Sequence, residues 1–117
     1  MQIRELMWHN VSIVRDAAGL ARATAELRQI ADQADHLQAQ TKSDRARIIE
    51  LRSGIDCALV ITQSAAFREE SRGAHWRADY PETSPAWLGS TFVRWPKQQS
   101  EPSLEFRAKR VAEPLPH

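Results

Sequence analysis

The sequence predicts an all-α fold: a three-helix bundle, running up-down-up within residues 1–95, followed by an extended Pro/Trp-rich C-terminal segment. Three observations predict it. Apolar residues recur at steps of three and four as far as about residue 70, the signature of amphipathic helices. Every proline lies at or after Pro81, so nothing forbids long helices before that point, and Pro81, Pro85, Pro96, Pro102, Pro114 and Pro116 break any helix after it. From Pro96 to His117 there is little apolar periodicity beyond Leu104 and Phe106, which suggests a flexible tail over residues 96–117.

The first helix is expected from Ile3 to about Asp16, with Ile3, Leu6, Met7, Asn10, Ile13 and Val14 on one stripe and Gly19 as a short break after it. The second is expected from Ala18 or Leu20 to Gln40. Its seam is Leu20, Ala23, Leu27, Ile30, Ala34 and Leu37, and its solvated face carries Arg22, Glu26, Arg28, Asp32 and Gln33. Thr41-Lys42-Ser43-Asp44 interrupts the pattern. Thr41 or Ser43 can cap the third helix, because a side-chain oxygen there accepts an orphan backbone N–H, and Asp44 suits the helix dipole. The third helix is expected to reach about Glu70, with Ile48, Leu51, Ile55, Ala58, Leu59, Thr62, Ala65 and Ala66 inward. Gly54 inside it costs about 1 kcal/mol relative to Ala, which points to a neighbour packed tightly against it. Gly73 is expected to end the helix in a left-handed conformation.

Composition excludes several functions. Sixteen basic and 15 acidic residues give a net charge of +1, which offers no electrostatic case for nucleic acid or an anionic membrane. No apolar run approaches the ~20 residues that span a bilayer, and the start Met1-Gln2-Ile3-Arg4-Glu5 lacks the pattern of a signal peptide. Cys57 is the only cysteine, so no internal disulfide forms. These features point to a cytoplasmic location. Cys57 reads as a small buried residue, since nothing near it would lower its pKa.

Catalytic and cofactor motifs are not found. Gly19, Gly54, Gly73 and Gly89 are isolated, so no glycine-rich loop cradles a phosphate. His9, His36, His75 and His117 have no metal-ligand spacing, and Asp32 with His36 reads as a solvated surface contact. Glu69 and Glu70 are adjacent, so they diverge on a helix and form no carboxylate dyad. Arg68, Arg72, His75 and Arg77 form a basic cluster that can hold a carboxylate. The plainer reading, which we prefer, pairs them with Glu69, Glu70, Asp79 and Glu82 or with backbone carbonyls. Trp8, Trp76, Trp87 and Trp95 are more than a small bundle easily buries; the last three form a protein interface or fold back over the open side of the bundle.

Several stretches resemble one family. Leu6-Met7-Trp8 and Ile13-Val14-Arg15-Asp16-Ala17-Ala18-Gly19-Leu20 are similar to the opening helix of the C-terminal domain of L-aspartate oxidases. Glu50-Leu51-Arg52, and the run Arg68-Glu69-Glu70-Ser71-Arg72-Gly73-Ala74-His75-Trp76-Arg77-Ala78-Asp79-Tyr80-Pro81, resemble that domain's third helix and the turn after it. The Glu-Ser-Arg-Gly-x-His core is shared with succinate dehydrogenase and fumarate reductase flavoproteins of the same superfamily. Ser53 stands where the family often has Asn, with some loss of hydrogen-bonding capacity.

The resemblance implies a non-catalytic domain of an FAD enzyme that oxidises L-aspartate to iminoaspartate for NAD synthesis, with oxygen or fumarate taking the electrons. FAD and the catalytic His and Arg residues would then belong to other domains, and no catalytic, cofactor-binding or metal residue is carried over to this chain. The implied partner is a flavin-binding domain, in cis or as a separate chain, with self-association also open. Arg68, Arg72, His75, Trp76, Asp79, Tyr80 and Trp87 are the expected interface and turn residues. Isolated, the chain is expected to be inactive, whether it is a truncated product, an excised domain or one half of a split enzyme. The alternative is a free-standing helical interaction module without enzymatic role.

Overall fold

The structure, a computed structural model, describes residues 2–12, 14–97, 99 and 101–109. It corrects the all-α expectation. Helices α1 (Gln2–Asn10), α2 (Ala17–Asp35) and α3 (Lys42–Phe67) are joined by two small sheets. Strands β1 (Val14–Arg15) and β2 (Trp76–Arg77) pair in parallel, and β3 (Gly89–Arg94) and β4 (Ser103–Ala108) pair antiparallel. A 3₁₀ turn, Pro85–Trp87, leads into β3. The fold is therefore mixed, with three helices forming its core.

Helix α1 stops at Asn10, earlier than expected. The run after it is rich in β-branched residues, which lose side-chain freedom in a helix, and Val14 and Arg15 go into a strand instead. Ile13, placed on the helical stripe by its spacing, lies outside the described residues, as do residues 110–117 of the expected tail. Asp16 is not a helix end but the N-cap of α2: its Oδ1 accepts the Gly19 N–H at 2.6 Å. Gly19 is buried inside the first turn of α2 rather than marking a break.

Leu20, Ala23, Leu27, Ile30 and Ala34 are buried as expected. Helix α2 ends at Asp35, so Leu37 lies past it and is 51% exposed. Of the two candidate caps of α3 it is Thr41 that acts, accepting the Asp44 N–H at 3.0 Å, while Asp44 accepts the Gln40 N–H in return at 3.3 Å. Ile55, Ala58, Leu59, Thr62 and Ala65 face inward, with Leu51 packed beside them. Two expectations for this helix fail. Gly54 is exposed, with nothing within 4 Å of where a Cβ would sit, and Cys57 is exposed too.

Helix α3 ends at Phe67 with Arg68 as its C-cap, so Gly73 is not its terminus. Gly73 does take a positive φ of 58°, but in a tight turn where Arg72 and His75 exchange backbone hydrogen bonds of 2.8 and 3.0 Å. The hairpin β3–β4 occupies part of the stretch expected to be flexible. Its strands alternate Thr91, Leu104 and Phe106 inward against Ser90, Glu105 and Arg107 outward, the period of two proper to a strand. Gly89 is required there by close approach: a Cβ would stand 2.2 Å from the Arg107 carbonyl oxygen. Trp95, at the end of β3, packs against the bundle core, and Trp87 meets Phe67 and Phe106 edge to face at 5.4 and 4.9 Å. Both readings of the tryptophans hold in part, since Trp8 and Trp76 remain 70% and 43% exposed.

Candidate functional site

The basic and aromatic segment after α3 is folded into a network of ion pairs that ties helix ends together. Arg77 is buried at its centre. Its Nη1 donates to the Ala66 carbonyl at 2.9 Å, with Ala65 and Arg68 carbonyls at 3.4 and 3.5 Å, so it closes the C-terminal end of α3, where unpaired carbonyls and the helix dipole favour a cation. Its Nε and Nη2 donate to Asp79 at 3.0 and 2.6 Å. Asp79 Oδ2 also accepts the Ala17 N–H at 3.1 Å, at the start of α2. The Arg77 guanidinium holds the Asp79 carboxyl below its ordinary range.

Glu70 is the second hub, and its side chain is wholly buried. Arg68 pairs with it, Arg72 grips both carboxylate oxygens at 3.1 and 3.2 Å, and the Ser84 N–H donates at 3.0 Å. Burial by itself raises the Glu70 pKa. The bonds from Arg72, Ser84 and Arg68 outweigh it and leave the carboxyl below its usual value. Arg68 continues outward, donating to the Trp87 and Gly89 carbonyls at 2.9 and 2.8 Å. Glu70 thus sets the position of the 3₁₀ turn and of β3 through its two arginines.

His75 links this network to β1. Arg15 Nη1 donates to His75 Nδ1 at 2.8 Å, and His75 Nε2 lies 3.1 Å from the Arg68 carbonyl. A guanidinium has only donors and a carbonyl only accepts, so the imidazole is the neutral Nε2–H tautomer. Desolvation lowers its pKa, as do the charges of Arg15, Arg77 and Arg68. Ser71 completes the turn: its hydroxyl accepts the Arg77 N–H at 2.9 Å and donates to the Tyr80 carbonyl at 2.7 Å.

The expected interface residues divide accordingly. Arg68, Arg72, His75, Asp79 and Trp87 are engaged within the chain, Arg72 with about a third of its side chain still exposed. Trp76 and Tyr80 are surface residues. The β1–β2 register sets Trp76 beside Val14, itself 64% exposed, and Arg77 lies under the Tyr80 ring at 4.9 Å. The charge of Glu69 raises the Tyr80 pKa. The preferred pairing of the basic cluster holds for Glu70 and Asp79; Glu82 contributes its backbone, accepting the Ser71 N–H at 3.1 Å. Sequence reasoning missed Arg15, Ser71 and the reach of Asp79 to α2, because each acts across a separation in sequence that no spacing rule covers.

These residues do not fit a flavin dinucleotide. The cationic side chains that would meet its pyrophosphate already have partners, and the turn at Gly73 closes on its own backbone. No step through FAD is derived from them. Among the described residues no cluster of His, Cys, Asp and Glu stands ready to hold a metal, and no helix is long and apolar enough to cross a membrane.

A helical bundle whose helix ends are stapled by one ion-paired turn defines a packing domain. The chain matches the family model described as fumarate reductase flavoprotein C-term over residues 1–115, and it belongs to that family, the C-terminal domains of succinate dehydrogenase and fumarate reductase flavoproteins. It is 41% identical over 85 residues to an L-aspartate oxidase of Rhodospirillum rubrum, covering 73% of this chain and 26% of that protein. It is 36% identical over 96 residues to a CoM/CoB fumarate reductase of Methanothermobacter marburgensis, covering 79% of this chain and 18% of that protein. An E. coli quinol fumarate reductase structure shares the fold at a TM-score of 0.83 and 22% identity, over 99% of this chain and 22% of that one. The chain therefore spans only 18% to 26% of the length of these relatives. Aspartate oxidases and fumarate reductases both stand among them, so the likeness narrows identity to the family.

Proposed function

We propose that the chain is the non-catalytic C-terminal domain of an FAD-dependent L-aspartate oxidase and packs on its flavin domain. One observation carries the packing role: the charged groups of the 68–79 turn are spent on holding helix ends, while Val14, Trp76 and Tyr80 stand exposed beside them. A rigid surface that presents aromatic side chains is suited to a partner, because aromatic burial supplies most of the energy of an interface core. The Leu6-Met7-Trp8 and Glu50-Leu51-Arg52 resemblances and the 41% identity to an aspartate oxidase support this substrate. In that reading FAD belongs to the partner domain, and the reaction takes L-aspartate to iminoaspartate.

A second reading, a domain of a fumarate reductase flavoprotein, is favoured by the longer match to the methanogen enzyme. The test is a pull-down of the tagged chain from its native host, with an absorbance spectrum and two turnover assays on the eluate. A flavin spectrum with aspartate-dependent peroxide supports the oxidase. Fumarate reduction by a reduced dye, without aspartate oxidation, supports the second reading. A colourless single-component eluate contradicts both and favours a free-standing module.

A further inference from the structure

We propose that His75 is an acid-sensitive latch: as a neutral imidazole it ties β1 to the end of α3 through Arg15 and the Arg68 carbonyl, and protonation releases β1. The geometry carries this. Arg15 reaches Nδ1 from β1, while Nε2–H reaches the first carbonyl after α3. The ring is half-buried, so no solvent shell replaces either partner at once. Arg15 is held in place from behind, its Nε donating to the Val11 and Ser12 carbonyls at 3.2 and 2.9 Å. Its guanidinium therefore has one position, and His75 supplies the acceptor for it.

Protonation removes that acceptor and sets a cation against a cation. Three guanidinium groups face the ring: Arg15 from β1, Arg77 from β2 and Arg68 from the end of α3. The carboxylates that could compensate are occupied, Glu70 by Arg68 and Arg72 and Asp79 by Arg77. The depressed pKa of His75 agrees with this arrangement. Below the ordinary value of 6.5 the unfolded chain takes the proton before the folded one does, so acid favours opening. What opens is the parallel pair β1–β2, whose last bond is the 2.6 Å hydrogen bond from the Ala78 N–H to the Arg15 carbonyl. The latch depends on these contacts alone and not on which partner the domain meets.

The experiment is imidazole ¹⁵N NMR on the intact labelled chain, with amide exchange at Ala78 followed from pH 7.5 to 5. The expected result is an Nε2–H tautomer at pH 7.5, a His75 titration midpoint below 6.5, and an Ala78 protection factor that falls about tenfold across the titration. His75→Gln keeps one donor and one acceptor but does not titrate, so its Ala78 protection is expected to be flat with pH. A His75 that is cationic or Nδ1-protonated at pH 7.5 overturns the proposal. So does an unchanged Ala78 protection factor in the wild-type chain, or the same pH-dependent loss in His75→Gln. If His75→Gln does not fold, the wild-type tautomer and exchange data still decide.

Discussion

Arg77 and Asp79, two residues apart, close the ends of two different helices: Arg77 caps the carbonyls of α3, Asp79 caps the first N–H of α2, and the two side chains bond to each other at 3.0 and 2.6 Å. The helices contribute opposite dipole ends, a negative C-terminus and a positive N-terminus, so each member of the pair faces the charge it suits. The relation explains why a turn so rich in charge lies against the bundle instead of in solvent.

Breaking this pair should cost far more than an ordinary surface ion pair. Arg77→Met leaves the α3 carbonyls and Asp79 without their donor, and a loss of about 3–5 kcal/mol is expected, the usual cost of removing one partner of a buried pair. Asp79→Asn keeps an acceptor for Ala17 and should cost less, about 1–2 kcal/mol. Urea unfolding of the two variants against wild type measures the difference.

Acid should destabilise the chain in a window set by Glu70 and Asp79. Both carboxyls lie below their ordinary values of 4.5 and 3.8 when folded. Their stabilisation is therefore complete above about 4.5 and is lost as pH falls through the folded values, because the unfolded chain binds the protons first. Glu70→Gln should flatten that part of the curve and be less stable at neutral pH, since Arg68 and Arg72 lose their anion. Denaturation midpoints measured from pH 7 to 3 check the sign. The earlier decline beginning near 6.5 belongs to His75 and should persist in Glu70→Gln.

The bundle register makes its own prediction. Leu27 and Ile55 are buried on α2 and α3, and truncating either to Ala should cost about 2–5 kcal/mol through lost apolar burial and the cavity left behind. A melting temperature unchanged by either substitution contradicts the register.

Two glycines should respond in opposite directions. Gly54→Ala meets nothing within 4 Å, and in an exposed helix interior it should stabilise the chain by about 0.5–1 kcal/mol. Gly89→Ala drives a methyl into the Arg107 carbonyl and the Phe106 ring, so β3 and β4 must separate there. Thermal melts of the two variants, with amide exchange at Lys109, whose N–H donates to the Leu88 carbonyl at 2.9 Å, distinguish the effects.

The helical body was legible in the sequence because its core residues repeat at the helical period and are local to each helix. Leu20 to Ala34 and Ile55 to Ala65 fall inward where the spacing puts them, and Thr41 caps α3 as its side chain permits. The strands were not legible. β1 and β2 have two residues each, too few to show a period, and they pair across sixty-two positions in sequence (Val14 with Trp76). The alternation in β4 was present, but the flanking prolines, which do break helices, do not by themselves announce a hairpin. At the site, the basic cluster and its pairing with Glu70 and Asp79 could be anticipated from charge alone. The reach to Ala17 and Arg15 depends on tertiary contact between the turn and the start of α2.

The most direct test of the packing role compares capture of a flavoprotein by the wild-type chain with capture by Trp76→Ser/Tyr80→Ser, whose substituted side chains are exposed and should leave the melting temperature unchanged. The account predicts that the wild-type eluate carries a flavin spectrum with aspartate-dependent peroxide formation and that the double variant, equally folded, loses it. A colourless wild-type eluate, or equal flavin capture by the variant, would contradict it.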